Sequence, residues 1–278
     1  MKRNLFARFP GGRAKALTFS YDDGCISDRR FVALLDRYGM KGTFNLNSGC
    51  LRREGETNNR RMSREETLAL FANGPHEVAV HAVTHPFLDT LPPATVALEV
   101  LEDRLNLERM FGRIVRGSAY PYGTMVATDR VREVLKSCGI VYARITDSTG
   151  TFALPDDWLR WHATCKHTDP RLMELAKNFT ERKIDRHPAL FYLWGHTFEF
   201  DDSDNWNVIE AFTAYMAGRE DTIWYATNME IYTYMQAFER LEFTVDLSIV
   251  HNPTDQKVWF VYDGREYAVE PGQTLTME

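Results

Sequence analysis

Hydrophobic and polar positions follow two alternating patterns along most of the chain. Short runs rich in β-branched and aromatic residues predict buried strands at residues 16–21, 42–46, 77–81, 113–121, 139–145, 188–196 and 221–227. Between these runs, apolar residues recur three and four positions apart, which predicts helices from about residue 27 and at 63–74, 94–111, 128–138, 206–217 and 228–240. The second of these helices begins with a capping box formed by Ser63 and Glu66.

Repeated strand–helix units imply a mainly parallel sheet with helices on its outer side. Seven or eight such units favour an α/β fold in which the sheet closes, or nearly closes, into a (β/α) barrel. An open, doubly wound sheet is the alternative.

The pattern changes after about Leu241, where apolar and polar residues alternate one by one. Asp263 and Gly264 lie between two such runs and form the dipeptide preferred in two-residue hairpin turns. We therefore predict a barrel over residues 1–240 and a small antiparallel β appendage over 241–278 that caps it.

Composition narrows the class of protein. Apolar residues make up 44% of the 278 positions, enough for a large core, yet no apolar run approaches the ~20 residues of a membrane span. The net charge of −6 and the scattered basic residues argue against a nucleic-acid partner.

The opening residues lack the apolar segment of a secretory signal, so we expect a cytoplasmic protein, or a secreted one whose signal was removed. Four widely spaced cysteines predict reduced thiols.

Polar side chains with catalytic chemistry follow four of the predicted strands. They are Asp22 and Asp23 after the first strand, His81 and His85 after the third, and Tyr122 and His196 after two later ones. In parallel barrels the carboxyl ends of the strands converge on one mouth, which carries the active site. This arrangement predicts an enzyme.

The two histidines are candidate metal ligands. Pro86 disfavours a helix at His85, so a strand end followed by a turn is expected to bring His81 and His85 together. Alone, the pair fits two unrelated loop residues equally well. With one aspartate it makes three protein ligands and leaves an open position, as in catalytic zinc sites.

Adjacent carboxylates repel each other unless a cation compensates them. A divalent metal bound to one of Asp22 and Asp23 would leave the other free as a base. The alternative is that one of them caps the helix that starts near Ser27 while the other is solvated.

Four motifs, in this order, resemble the polysaccharide deacetylases of carbohydrate esterase family 4, the NodB homology domain. They are TFSYDDG, HAVTHP, YPYG and LFYLWGH, and the resemblance spans about residues 15–230. It implies a distorted (β/α) barrel that uses a divalent metal to remove acetyl groups from N-acetyl amino sugars or O-acetyl polysaccharides. It also implies that Asp23, His81 and His85 hold this metal, which we expect to be zinc, although cobalt and nickel accept the same ligands.

The same resemblance gives roles to three further residues. Asp22 becomes the catalytic base, His196 becomes the general acid, and Tyr122 supplies a backbone N–H to the oxyanion. We also expect Trp158 and Trp194 to line the carbohydrate site, because aromatic faces stack on sugars; core packing is the alternative role.

Two positions depart from the family pattern. Ala119 stands where the family usually has an arginine that pairs with the base, and Arg116 is nearby but out of register. In the segment LPDDW, Leu154 replaces the first of two aspartates, whereas Asp157 remains. The chain therefore resembles a divergent member of the family.

Three functions fit these observations. The first is a metal-dependent deacetylase of an acetylated carbohydrate, and the second is the same machinery acting on another amide, such as a cyclic ureide. The third is a sugar-binding relative that has lost catalysis. Retention of Asp22, the metal residues and His196 argues against the third function, which Ala119 keeps open. The sequence does not indicate an oligomeric state.

Overall fold

A parallel sheet of nine strands forms most of the computed structural model, which describes residues 4–56 and 60–277. Numbered along the whole chain, its strands are β2 (Lys15–Asp22), β3 (Thr43–Leu46), β4 (Glu77–Val80), β5 (Gly117–Ala119), β6 (Tyr142–Ser148), β7 (Trp161–Ala163), β8 (Cys165–Lys166), β9 (Ala189–Gly195) and β10 (Ile223–Tyr225). Their order is β7-β6-β5-β4-β3-β2-β9-β8, and β10 pairs with the first residues of β2. The short strands β7 and β8 were absent from the predicted set.

One continuous segment, residues 161–166, closes this sheet. Its first half, β7, pairs with β6, and its second half, β8, pairs with β9. Between the two halves, the Thr164 N–H donates to the Tyr192 carbonyl at 2.9 Å. The (β/α) barrel predicted from the sequence is confirmed.

Eight helices connect these strands within the described part of the chain. They are α1 (Asp28–Arg37), α2 (Arg64–Phe71), α3 (Pro93–Phe111), α4 (Asp129–Ser137), α5 (Leu172–Glu181), α6 (Phe198–Asp202), α7 (Trp206–Met216) and α8 (Asn228–Glu239). The predicted capping box of α2 is present, with both the Ser63 and the Glu66 side chains bonded to backbone amides. The sequence pattern predicted six of these helices and missed α5 and α6.

The barrel strands have an apolar outer face and a polar inner face, as β2 illustrates. Leu17 and Phe19 are fully buried and pack in the main hydrophobic core beneath the helices. The alternate residues of β2, among them Ser20 and Asp22, face the barrel interior. There Asn45 Nδ2 donates to Ser20 Oγ at 2.9 Å and to Asp22 Oδ1 at 2.8 Å. This alternation places Asp22 inside the barrel at the carboxyl end of its strand.

Two small antiparallel sheets form the appendage. The first contains β1 (Leu5–Arg8), β13 (Val258–Tyr262) and β14 (Arg265–Val269), and the second contains β11 (Glu242–Phe243), β12 (Ile249–His251) and β15 (Thr274–Thr276). The predicted hairpin turn joins β13 to β14, with Asp263 and Gly264 at φ of 46° and 86°.

The appendage also includes the N-terminal strand β1, which pairs with β13. Residues 5–8 therefore belong to the same sheet as residues 258–269, a link that the pattern after Leu241 did not reveal. The boundary at residues 240 and 241 stays a prediction.

The four cysteines have free thiols, as their spacing predicted. Among the described residues, no helix combines the length and the apolar content needed to cross a lipid bilayer.

Candidate active site

Asp23, His81 and His85 meet at the carboxyl ends of β2 and β4. One potential ligand atom from each residue lies within 4.8 Å of the other two. His81 is buried, and Asp23 and His85 are half-buried. The three residues predicted from the sequence as metal ligands are thus close enough to bind one ion together.

The backbone around this cluster adopts unusual conformations. Seven described non-glycine residues have positive φ, and four of them are here: Asp23 (87°), Ala82 (61°), His85 (57°) and Tyr122 (59°). Each such residue costs about 1–3 kcal/mol, and such strain concentrates at functional sites. The distribution makes this mouth of the barrel the candidate functional site.

The surroundings of His81 leave one ring nitrogen available for a ligand. Its Nδ1 lies 2.8 Å from the Ala119 carbonyl, an acceptor that fixes this nitrogen as the N–H and directs Nε2 into the site. Burial lowers the pKa of His81 to about 4, although the Asp22 and Asp23 carboxylates oppose this shift. The imidazole is therefore neutral at pH 7, the form that binds a metal.

Two imidazoles and one carboxylate form a donor set suited to zinc and related divalent ions. Arg61 lies on the Asp23 carboxylate, with Nη2 at 2.9 Å from Oδ1. This buried Oδ1 accepts no hydrogen bond from the described residues, so it has room for a ligand role. The residues present fit a divalent metal with three protein ligands.

Asp22 is buried beside this cluster. Its Oδ2 lies 3.9 Å from His81 Nε2 and 3.8 Å from His196 Nε2, and it forms an ion pair with Arg144. Burial alone would raise the pKa of Asp22, but the charges of Arg144, His81 and His196 lower it to about 2. Asp22 is therefore an ionised acceptor placed between the metal ligands and His196.

Arg144 is a functional residue that the sequence analysis missed. It lies on β6 directly opposite Ala119 of β5, the position where the expected arginine is absent. Its side chain is fully buried and its Nη2 donates to Asp22 Oδ2. A lone arginine inside the apolar run of residues 139–145 was the available signal, because charged residues are rarely buried without a partner.

His196 follows β9 and points its two ring nitrogens in different directions. Nε2 faces Asp22, whereas Nδ1 lies 3.5 Å from Glu199 Oε2. Burial lowers the pKa of His196, but Glu199, Asp22 and Asp23 raise it by more, so the pKa stands above its ordinary value. The ring is therefore favoured in its protonated form, as a general acid requires.

Glu199 is the second functional residue that sequence reasoning missed. It is the first-turn acid of α6 and also contacts His167 Nε2 at 3.1 Å and Lys166 Nζ at 2.6 Å. Burial would raise the pKa of Glu199, and its contacts with His167, His196 and Lys166 lower it well below its ordinary value. An acid three residues after His196 was its only local signal.

Tyr122 has a left-handed backbone and lies beside His85, with ring centroids 4.6 Å apart. Its N–H donates no hydrogen bond to any described residue. Its ring also stacks on Phe87 at a centroid distance of 3.7 Å, and both rings are nearly half exposed. A free backbone donor and an exposed aromatic pair thus border the cluster.

The two tryptophans make extensive packing contacts with other side chains. Trp194 is 7% exposed, and its ring covers the Arg144 guanidinium, whose Cζ lies 4.6 Å from the ring centroid. Trp158 packs edge to face against Trp161 and against Tyr232 of α8. These contacts favour the packing alternative for both residues, and their substrate role stays a prediction.

The position of α8 explains why Trp158 is remote from the mouth. At the start of α8 the Asn228 N–H donates to Thr43 Oγ1 and the Met229 N–H to Glu77 Oε2. Thr43 and Glu77 are the first residues of β3 and β4, so α8 begins at the amino ends of the strands.

Asp157 does not join the site either. Its Oδ1 accepts a hydrogen bond from the Leu159 N–H at 2.9 Å, and its Oδ2 pairs with Arg132 of α4. Leu154 lies against the packing cluster around Trp161. The acidic partner of His196 is supplied by Glu199 instead.

The fold and these motifs are similar to those of polysaccharide deacetylases. Residues 10–143 match the sequence model of the family described as polysaccharide deacetylase, and the chain resembles a divergent member of that family. No curated protein sequence matches the chain.

Solved structures that are similar to the chain have low sequence identity to it. A Mycobacterium smegmatis protein assigned as a polysaccharide deacetylase is 17% identical with a TM-score of 0.60, over 86% of this chain and 96% of that one. A carbohydrate esterase family 4 pseudoenzyme from Bacillus anthracis is 15% identical with a TM-score of 0.50, over 82% and 68%. A Streptococcus pyogenes deacetylase in complex with acetate is 19% identical with a TM-score of 0.45, over 51% of this chain and 61% of its own length.

Proposed function

We propose that the protein is a metal-dependent hydrolase that removes acetyl groups from an acetylated carbohydrate. The supporting observation is a single arrangement: Asp22 Oδ2 lies within 4 Å of both His81 and His196, next to the Asp23, His81 and His85 cluster. A base, an acid and three ligands for a divalent ion therefore surround one point. The match of residues 10–143 to the polysaccharide deacetylase model supports the same reaction class.

A zinc-type ion held by Asp23, His81 and His85 would polarise the acetyl carbonyl. It would also lower the pKa of its bound water to about 7. Asp22, ionised and held between two neighbours, accepts the proton of the attacking water. The Tyr122 N–H donates to the developing oxyanion, a contribution of roughly 3–4 kcal/mol. His196 delivers the Nε2 proton to the departing amine or alcohol, while Glu199 stabilises the imidazolium from the Nδ1 side.

The exposed Phe87–Tyr122 pair supports a carbohydrate substrate. The rings stack nearly parallel at 5°, and together they offer a flat apolar surface beside His85. Sugar rings present apolar C–H faces that pack on such surfaces. We propose this pair, rather than Trp158 or Trp194, as the contact for a sugar ring next to the acetyl group.

The test is acetate release from N-acetylglucosamine oligomers and from acetylated xylan by the purified protein. We expect turnover that a chelator abolishes and added zinc, cobalt or nickel restores. Hydrolysis of allantoin without acetate release would instead assign the cyclic-ureide function. Metal at full occupancy with no hydrolysis of either substrate type would assign the inactive, sugar-binding function, for which the Bacillus anthracis pseudoenzyme is a precedent in fold.

A further inference from the structure

We propose that Arg144 is the positioning residue for Asp22, and that β6 thereby supplies the guanidinium that β5 lacks at Ala119. The inference rests on the proposed function, because it assigns Arg144 a part in that reaction. It also makes a structural claim about Asp22 that can be tested without turnover.

The register of β5 and β6 places the two positions on the same side of the sheet. Ala119 pairs with Arg144, and two residues earlier Gly117 pairs with Tyr142. A Cβ atom built on Gly117 would overlap the Tyr142 hydroxyl, so the side chains of these paired positions leave their strands in the same direction. The small residues of β5 thus provide the space that the long side chains of β6 occupy.

Arg144 forms its ion pair with Asp22 alone among the described carboxylates. Its side chain is fully buried, and Asp22 is its only carboxylate contact among the described residues. Nε and Nη1 have no hydrogen-bond partner in the described part of the chain, and the Trp194 ring covers the guanidinium. A buried ion pair adds little net stability compared with apolar packing, so stability alone does not account for a charge at this position.

Both oxygens of Asp22 are held in this arrangement. Asn45 Nδ2 donates to Oδ1 at 2.8 Å, and Arg144 Nη2 donates to Oδ2. Oδ2 is the oxygen that lies between His81 and His196. Without the guanidinium, the carboxylate is free to turn toward either imidazole or toward a bound cation, and it no longer faces the attacking water.

The kinetic test moves the guanidinium between strands. Arg144→Met keeps similar volume without charge, and we expect kcat for acetate release to fall about 100-fold, with KM changed by less than about threefold. Arg144→Lys should retain part of the activity. In the double variant Ala119→Arg/Arg144→Ala, the guanidinium returns from the opposite position of the same strand pair, and kcat should rise at least about tenfold above Arg144→Ala.

Two kinetic outcomes would overturn the proposal. One is wild-type kcat in a folded, metal-loaded Arg144→Met variant, which would make the guanidinium dispensable. The other is a folded double variant whose kcat is no higher than that of Arg144→Ala. It would show that a guanidinium on β5 does not replace Arg144.

A second measurement separates this inference from the proposed function. In a crystal structure of Arg144→Met, we expect the Asp22 carboxylate to leave its wild-type position between His81 and His196, and an unmoved carboxylate would overturn the proposal. If the wild type hydrolyses no acetylated substrate, the proposed function fails, whereas this comparison still decides the role of Arg144.

Discussion

Asp22 and Asp23 are neighbours in the sequence, but their carboxylates face different partners. Asp22 points into the barrel toward Asn45 and Arg144, whereas Asp23 turns at a positive φ toward the two histidines. The left-handed backbone at Asp23 is what separates the two side chains. The interpretation in which one of them caps the helix near Ser27 while the other is solvated does not fit, because Asp22 is 3% exposed and Asp23 belongs to the histidine cluster.

This separation predicts opposite effects for two matched substitutions. Asp22→Asn should reduce acetate release by about 100- to 10,000-fold while the metal stays bound, because only the proton acceptor is lost. Asp23→Asn should release the metal, because an amide is a weaker ligand than a carboxylate. Metal content and initial rates of the two purified variants check this, and the reverse result would mean that the two roles are exchanged.

Glu199 should control the pH range in which His196 works as an acid. Its carboxylate raises the pKa of His196, so Glu199→Gln should lower that pKa. The fraction of protonated His196 then begins to fall at a lower pH, and the alkaline limb of the kcat profile should move to lower pH.

The control for Glu199→Gln is Glu210→Gln on α7. Glu210 pairs with Arg30 at 2.8 Å on the surface, and among the described residues its side chain contacts none of the site. Its replacement should leave the pH profile unchanged. An unchanged profile for Glu199→Gln as well would remove Glu199 from the mechanism.

At the scale of elements, the strands and most helices could be predicted because their periodicity is local. The α6 helix has five residues, too few for a periodic pattern to be recognised. The α5 helix does carry one, since Leu172, Leu175 and Phe179 lie on one buried face. The strands β7 and β8 are two or three residues long, and their assignment depends on pairing with β6 and β9.

The residues of the candidate site also differ in whether the local sequence identifies them. Asp23, His81, His85 and His196 lie within short motifs, so their sequence neighbours identify them. The partner of Asp22 lies 122 residues away, and only the register of β5 and β6 brings it into reach. An aromatic near a motif does not by itself show which end of the barrel it occupies, as Trp158 illustrates by packing against Tyr232 of α8.

The small residues of β5 provide a stability test. Gly117→Ala should destabilise the fold by about 1–3 kcal/mol, because the new methyl group would overlap the Tyr142 hydroxyl in a packed interior. Gly74→Ala is the control, since a methyl group there would have its nearest neighbour at 3.6 Å and no positive φ is involved. Urea unfolding of both variants measures the difference, and equal stability would mean that Tyr142 has room to move.

At the scale of the whole molecule, the appendage contacts the barrel through hydrogen bonds and apolar packing at α8 and the N-terminal strand. The Tyr234 hydroxyl donates to the Arg8 carbonyl at 2.6 Å and accepts from the Trp259 N–H at 2.9 Å. Ala237 of α8 and Leu241 share a hydrophobic cluster with the apolar residues of β13. The appendage therefore completes the packing of the last barrel helix.

Removal of residues 241–278 should consequently destabilise the barrel itself. It would leave β1 without its partner strand and expose one side of α8 to water. We expect the shortened chain to aggregate or to unfold at a clearly lower temperature than the full chain, as measured by circular dichroism and gel filtration. An unchanged melting temperature would mean that the barrel is independent of the appendage.

The central claim is that one divalent ion is held by Asp23, His81 and His85. Metal content after dialysis against zinc, measured for the wild type and for His81→Ala, tests it most directly. The account predicts about one ion per wild-type chain, because three protein ligands with an open position define a single catalytic site, and none in the variant. A wild-type protein without metal, or a variant with full occupancy, would contradict it.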